Sequence, residues 1–249
     1  MKFVVLTIFP ELIHAFWENG IMGRAIAGGL IEPQAIDIRD FAQGRHRITD
    51  DRPYGGGCGM VMKPEPLAAA VQAAKSATSD AAVVLLSPQG RRFDQPMARQ
   101  LAKAPGLILI CGRYEGIDER ICEQFVDLEI SIGDFVLTGG ELPAMVMMDT
   151  LTRLIPGALG NEDSAEMDSF SQSTLDHGHF TRPPEFEGRS VPEVLLSGHH
   201  ELIAQWRHAD ALMRTLVKRP DLLHQTQLDK EDATLLRRWQ AEIGRILGC

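Results

Sequence analysis

The sequence predicts an α/β fold: a mainly parallel sheet with helices on both faces, followed by a small all-α C-terminal unit. Short strand-like apolar runs alternate with helical stretches through the first two-thirds of the chain. Two glycine-dense segments each follow such a run. Beyond residue 160 the strand signal stops and only amphipathic helical patterns remain.

The strand-like runs lie at residues 3–8, 35–38, 81–86, 107–110 and 128–132. The first belongs to Met1-Lys-Phe-Val-Val-Leu-Thr-Ile-Phe-Pro10, which meets Glu11 at once and reads as a buried strand rather than a signal peptide. Helical stretches cover 64–77, 95–103 and 117–125. Pro64-Glu-Pro66 suits a first helical turn, and Gly106 follows the end of the second stretch. A Met- and Leu-rich helix is expected over 141–155, stopped by Pro156-Gly157; Met145, Met147 and Met148 read as core filling. Gly160-Asn-Glu-Asp-Ser-Ala-Glu-Met-Asp-Ser169 is polar, acidic and unpatterned, the composition of a mobile linker that orders when something binds it. After it, Leu202, Ile203, Trp206, Met213, Leu216 and Val217 mark one helix face, and Leu235, Leu236, Trp239, Ile243, Ile246 and Leu247 another.

The glycine-dense segments are Cys111-Gly-Arg-Tyr-Glu-Gly-Ile-Asp-Glu-Arg120 and Ser131-Ile-Gly-Asp-Phe-Val-Leu-Thr-Gly-Gly-Glu-Leu-Pro143. Glycine at the exit of a strand lets the main chain approach a ligand closely, so the pair reads as two walls of one small-molecule pocket. Residues 111–170 hold thirteen acidic side chains against Arg113, Arg120 and Arg153, a net −10 within a chain of net charge −9. Such a field suits a cationic ligand and repels a phosphate-rich one, although a solvated acidic face has the same composition.

Several chemistries find no support. Tyr54-Gly-Gly-Gly-Cys-Gly-Met60 lacks the last glycine of a dinucleotide fingerprint, and Lys63 lacks the spacing of a P-loop lysine. No G-x-S-x-G or H-E-x-x-H occurs. The four cysteines form no CxxC pair; a reducing cytoplasm is expected, with Cys111 and Cys122 as buried thiols. No metal site is assigned: His177-Gly-His179 and His199-His200 are candidate ligands without an accompanying Cys or carboxylate set, and read as surface residues. No apolar run reaches the length of a membrane span.

An ordered series of segments resembles one family closely, the bacterial tRNA (guanine-N1)-methyltransferases of the SPOUT class. They include Leu6-Thr-Ile-Phe-Pro10, Ile38-Arg-Asp-Phe41, Asp50-Asp-Arg-Pro-Tyr-Gly-Gly-Gly57, Gly59-Met-Val-Met-Lys-Pro-Glu-Pro66, Ser87-Pro-Gln-Gly90 and the two glycine segments. Pro156-Gly-Ala-Leu-Gly-Asn161, Asp168-Ser-Phe170, Thr181-Arg-Pro183, Val191-Pro-Glu-Val-Leu-Leu-Ser-Gly198 and Lys218-Arg-Pro-Asp221 continue it, so the resemblance spans nearly the whole chain. Cys58 within the glycine loop and the Gly248-Cys249 tail depart from it.

The resemblance implies a deep trefoil knot in the α/β domain (residues 1–160), a mobile linker (161–174) and a helical tRNA-binding domain (175–249). It implies a homodimer whose active site is shared between subunits, with S-adenosylmethionine bent into the knotted loops. Methyl transfer would go to N1 of guanosine 37 of tRNA, 3′ of the anticodon and preceded by a guanosine. For the cofactor it points to Leu86, Ser87, Pro88, Gly112, Tyr114, Glu115, Ile132, Gly133, Asp134, Phe135, Val136, Leu137, Gly139 and Gly140. Asp168 matches the family's proposed general base and Arg153 the arginine placed at guanine O6. An i, i+4 ion pair of Arg153 with Asp149, and a plain linker charge at Asp168, are the simpler readings. The sequence shows no dedicated oxygen cage, so a magnesium requirement does not follow from it.

RNA contact must come from local basic patches, for which Arg45, His46 and Arg47 with Arg39 and Arg52 are one candidate. Arg207, Arg214, Lys218 and Arg219 are the other, with an ordinary solvated helix face as the alternative. Two other functional classes remain to be separated: a dinucleotide-dependent oxidoreductase, against which the missing fingerprint counts, and a non-catalytic RNA-binding protein, which leaves the acidic pocket without purpose.

Overall fold

A computed structural model of the 249-residue chain describes residues 1–160, 168–171, 174–225 and 228–247. It divides into two compact units, Met1–Glu162 and Asp163–Cys249. Of the linker expected over 161–174, residues 161–167 and 172–173 lie outside the described residues.

The first unit is built on five strands: β1 (Lys2–Thr7), β2 (Glu32–Asp37), β5 (Ala82–Arg92), β6 (Gly106–Cys111) and β7 (Leu128–Ser131). They lie side by side in the order β2-β1-β6-β5-β7, and every pairing is parallel. The continuous apolar runs of β1, β5 and β6 are what a strand covered on both faces requires. Alternate residues then serve opposite cores. Phe3, Val5, Val84, Leu107 and Leu109 pack beneath α1 (Pro10–Trp17), α2 (Gly20–Ala27), α4 (Gln95–Leu101) and α6 (Glu141–Thr152). Val4, Leu6, Val83, Ile108 and Ile110 pack beneath α3 (Pro64–Ala77) and α5 (Glu119–Phe125). The predicted sheet with helices on both faces is therefore what forms.

Helix starts follow local chemistry. Pro64 opens α3, Asp94 caps α4 by accepting from Met97 N at 2.9 Å, and Asp118 caps α5 by accepting from Arg120 N at 3.1 Å. Arg120 returns two further bonds to the Asp118 carboxylate, which holds its pKa below the usual range. The pair α1 and α2, of eight residues each, is not among the helical stretches expected from the sequence. A short hairpin of β3 (Asp50–Asp51) and β4 (Val61–Met62) is also outside the expected strands, because two residues show no alternation.

β5 runs six residues past the expected end at 86, and the reason lies in its pairing. Leu86 and Arg91 both face Ile130 of β7, so residues 87–90 leave the ladder as a bulge before the strand resumes. Gly90 sits where the bulge rejoins, and a Cβ there would collide with the backbone of Glu129 and Ile130. Only glycine fits that approach.

The second unit corrects the expectation that strands cease. β8 (Glu185–Phe186) and β9 (Arg189–Ser190) pair across Glu187-Gly188, whose φ values of 51° and 75° are those of a two-residue primed turn. Helices α7 (Glu193–Leu196), α8 (His200–Lys218), α9 (Pro220–Gln225) and α10 (Lys230–Leu247) complete it. On α8 the buried residues are Leu212 and Thr215; Leu202, Leu216 and Val217, assigned to the apolar face, are exposed within this chain. Thr215 is buried because its hydroxyl is used twice, accepting from Leu175 N at 2.9 Å and donating to Ala211 O at 2.7 Å.

Gly90→Ala should destabilise the first unit by about 1–3 kcal/mol through overpacking, and differential scanning calorimetry should show a lower Tm. An unchanged Tm would mean that the bulge tolerates a side chain.

Candidate active site

A cleft of about 340 Å³ opens at the carboxyl ends of β5, β6 and β7, within the usual size range of small-molecule sites. The carboxyl end of a parallel sheet is where ligands of open α/β proteins bind. Its walls are the β5 bulge and the two glycine segments. Of the residues expected to hold the cofactor, Leu86, Ser87, Pro88, Gly112, Tyr114, Glu115, Ile132, Gly133, Phe135, Val136, Leu137, Gly139 and Gly140 line the cleft. Asp134 sits on the same loop but is not part of the lining.

The glycine segments are joined edge to edge. Gly140 N donates to Gly112 O at 2.9 Å, and Arg113 and Gly139 form an isolated antiparallel bridge. A Cβ on Gly140 would lie 2.6 Å from the Cα of Cys111, so the chains approach more closely than any side chain allows. Tyr114 adopts φ 61°, a left-handed conformation that is an outlier for a bulky residue. The Gly116 N to Arg113 O turn at 3.1 Å accompanies that geometry. Burial, then the Asp50 carboxylate, raises the Tyr114 pKa, so the phenol stays protonated at neutral pH.

One ion pair in this wall was not legible in the sequence. Arg113 binds the Glu141 Oε2 through Nε at 3.0 Å and through its terminal nitrogen at 2.9 Å, and donates to Thr138 O at 3.2 Å. Glu141 is 2% exposed, and its Oε1 accepts from Thr7 Oγ1 at 2.7 Å. The Arg113 guanidinium also lies 4.5 Å from the centre of the Phe9 ring. Nothing in the spacing of residues 7, 113 and 141 announces that they meet.

With Arg113 neutralised by Glu141, the charges left on the lining are Glu115, Glu119 and Glu129. Glu115 packs against Gly59, which brings the Tyr54–Met60 loop to the cleft wall, and Glu115 N donates to Met60 O at 3.0 Å. The cleft is acidic and rich in close-approaching backbone, a fit for a small cationic ligand such as a sulfonium and a poor one for phosphates. Its thiol is inert: burial, then Glu119 and Glu129, push Cys122 up to about 11. Burial raises Cys111 as well, with Glu141 adding to the effect.

The other expected site residues are not among those lining the cleft. Arg153 caps the end of α6, with its amide donating to Asp149 O at 3.2 Å. Asp168 belongs to the second unit and opens a short turn in which Ser171 N donates to its carbonyl at 3.1 Å. Of the basic candidates, Arg45, His46, Arg207 and Lys218 are exposed. Arg47 pairs with Asp40, Arg39 donates to Ile8 O, and Arg219 pairs with Asp221 at 2.6 Å. Arg214 binds Asp210 at 2.6 Å. Burial alone would raise the Asp210 pKa, but the Gly178 N–H and Arg214 lower it below the usual range. The two histidines read as lacking a carboxylate do have one: Asp176, His177 and His179 place a ligand atom each within 4.8 Å of one another.

A parallel α/β sheet with an acidic, glycine-walled cleft at its carboxyl edge defines a small-molecule-binding α/β protein. Residues 1–225 match the model of the tRNA (Guanine-1)-methyltransferase TrmD family. The chain is 58% identical over 247 residues to the tRNA (guanine-N(1)-)-methyltransferase of Desulfatibacillum aliphaticivorans, covering 99% of this chain and 94% of that protein. It is 52% identical to the enzyme of the same name from Pseudoalteromonas translucida, covering 98% and 96%. For that from Geotalea uraniireducens the figures are 51%, 100% and 99%. The chain belongs to the tRNA (guanine-1)-methyltransferase family.

Removing one partner of the buried pair should be costly: Arg113→Met should destabilise the protein by about 3–5 kcal/mol by orphaning Glu141, and the double variant Arg113→Met/Glu141→Gln should recover part of that in urea unfolding. Equal losses in the single and double variants would show that the charge of Glu141 is not what the arginine serves.

Proposed function

We propose that the chain methylates N1 of guanosine 37 of tRNA, the nucleotide 3′ of the anticodon, where a guanosine precedes it. Family membership makes it a tRNA (guanine-N1)-methyltransferase dependent on S-adenosylmethionine; the tRNA position and the residue roles are our reading. The observation that carries it is the acidic cleft, whose glycine walls expose main-chain groups to a cationic cofactor.

Bound there, the cofactor supplies an electrophilic methyl carbon on a sulfonium. The Leu86-Ser87-Pro88 bulge, Gly112 and the Ile132–Leu137 loop would hold it, and Glu115 would favour its positive charge. Guanine N1 carries a proton at neutral pH and is a poor nucleophile until it leaves. Asp168 accepts that proton. As it departs, negative charge grows on O6, where the Arg153 guanidinium stabilises it. The deprotonated N1 would then be the nucleophile for the methyl group that a bound S-adenosylmethionine would supply. Most of the acceleration comes from holding donor and acceptor in line.

In this reading the protein works as a homodimer, the Asp168 turn and helical unit of one subunit serving the cleft of the other, and the cleft loops form the trefoil knot of the SPOUT class. Arg45, His46, Arg207 and Lys218 contact RNA phosphates, with Arg47 and Arg214 as secondary contacts because each already holds a carboxylate. A tRNA substrate places the protein in the cytoplasm. Among the described residues no helix is long and apolar enough to cross a membrane.

Mass spectrometry of nucleosides from unmodified tRNA incubated with protein and S-adenosylmethionine should show N1-methylguanosine at position 37; methylation elsewhere, or none, overturns the reading. Asp168→Asn should lower kcat by about 10²–10⁴-fold with cofactor affinity in calorimetry nearly unchanged, and retained turnover would remove Asp168 from the chemistry. Arg153→Ala should lower kcat by about 10²–10³-fold and affect RNA binding less; the opposite pattern would make it a docking residue.

A further inference from the structure

We propose that Asp176, His177 and His179 form a binding site for a zinc-class divalent cation, a site distinct from the cofactor cleft and lying within the second unit. The three side chains each present one ligand atom, and those atoms lie within 4.8 Å of one another. The His177 and His179 rings are stacked at a tilt with centroids 4.6 Å apart, and His179 Nε2 lies 3.0 Å from Asp176 Oδ2.

The decisive feature is the tautomer of His177. Its Nδ1 lies 3.1 Å from Gly178 O, and a carbonyl oxygen only accepts, so Nδ1 carries the proton. In the neutral ring Nε2 is then a bare lone pair, and it faces Asp176 Oδ1 at 3.8 Å. Asp176 Oδ1 accepts from His177 N at 2.7 Å, and a cation between the ring nitrogen and the carboxylate would offset the repulsion of the two lone pairs. A ring nitrogen donating to a backbone carbonyl is the arrangement that orients histidine ligands at metal sites, and it leaves the other nitrogen for the ion.

The surroundings hold this geometry in place. Gly178 N donates to Asp210 Oδ2 at 2.6 Å, which fixes the peptide between the two histidines, and the His177 ring meets Trp206 edge-on at 6.4 Å. Asp176 is tied at its backbone as well, its amide donating to Ser169 Oγ at 2.9 Å. The side chain of His177 is 13% exposed and that of His179 72%, so the site opens to solvent on one side. Two imidazoles and one carboxylate select zinc, cobalt or nickel over magnesium, and three protein ligands leave a fourth position for water. Metal–ligand bonds near 2.0–2.1 Å put tetrahedral ligand atoms about 3.4 Å apart, a contraction that side-chain rotation supplies. The ion would also stiffen the Asp168–Ser171 turn, one hydrogen bond away through Ser169.

The test is independent of methyl transfer. Full-length protein stripped with chelator is titrated with Zn²⁺ alone by calorimetry, and with Co²⁺ followed by its visible absorption. One equivalent per chain is expected, with tetrahedral cobalt bands and no displacement by a hundredfold excess of Mg²⁺. His179→Ala, at an exposed position that cannot unfold the chain, and His177→Gln should each weaken binding at least tenfold; His208→Ala, outside the cluster, should not. Absence of binding, displacement by Mg²⁺, or an affinity indifferent to both cluster substitutions overturns the site.

Discussion

The candidate active site depends on one buried charge pair. Arg113, just beyond the end of β6, holds Glu141 at the start of α6, and Thr7 at the end of β1 completes the carboxylate. The contact fastens two strand ends and one helix start at the floor from which both glycine segments rise. Burying a carboxylate that is 2% exposed is expensive, and what offsets the cost here is a two-point guanidinium contact plus a hydroxyl donor. Thr7 in turn accepts from Phe9 N at 2.9 Å, and Phe9 offers its ring to the same guanidinium. The charge of Glu141 is thus spent internally, and the field in the cleft is set by Glu115, Glu119 and Glu129 instead.

In the function proposed above, that division of labour would let an acidic protein serve an RNA reaction. Acid is concentrated where the cofactor's sulfonium would rest, while the exposed basic side chains Arg45, His46, Arg207 and Lys218 lie outside the cleft lining. Net charge predicts neither location, because each ligand responds to the potential at its own site.

How much of this was readable in the chain depended on the range of the interaction. The buried strands show as continuous apolar runs because both faces of a parallel sheet are covered, and α3 is legible at 64–77 because proline marks its first turn. The glycine walls were visible because glycine reports local backbone geometry. What escaped needed partners far away in sequence. The extension of β5 exists only because Gly90 passes against Glu129 and Ile130. Arg113 and Glu141 are 28 residues apart. The carboxylate beside the two histidines was next to them in sequence, yet its direction was set by the turns around Asp176 and Gly178, which no periodicity encodes.

A cleft walled by peptide groups carries an evolutionary consequence. Amides at Gly112, Gly133, Gly139 and Gly140 are the same whatever the codon, and the backbone contact at Gly140 forbids larger residues. A compound packed against that main chain would therefore meet few positions where a point change evicts it without also closing the cleft to its natural occupant. Escape would come more readily through side chains of the wall such as Phe135, Val136 or Leu137, which are exposed.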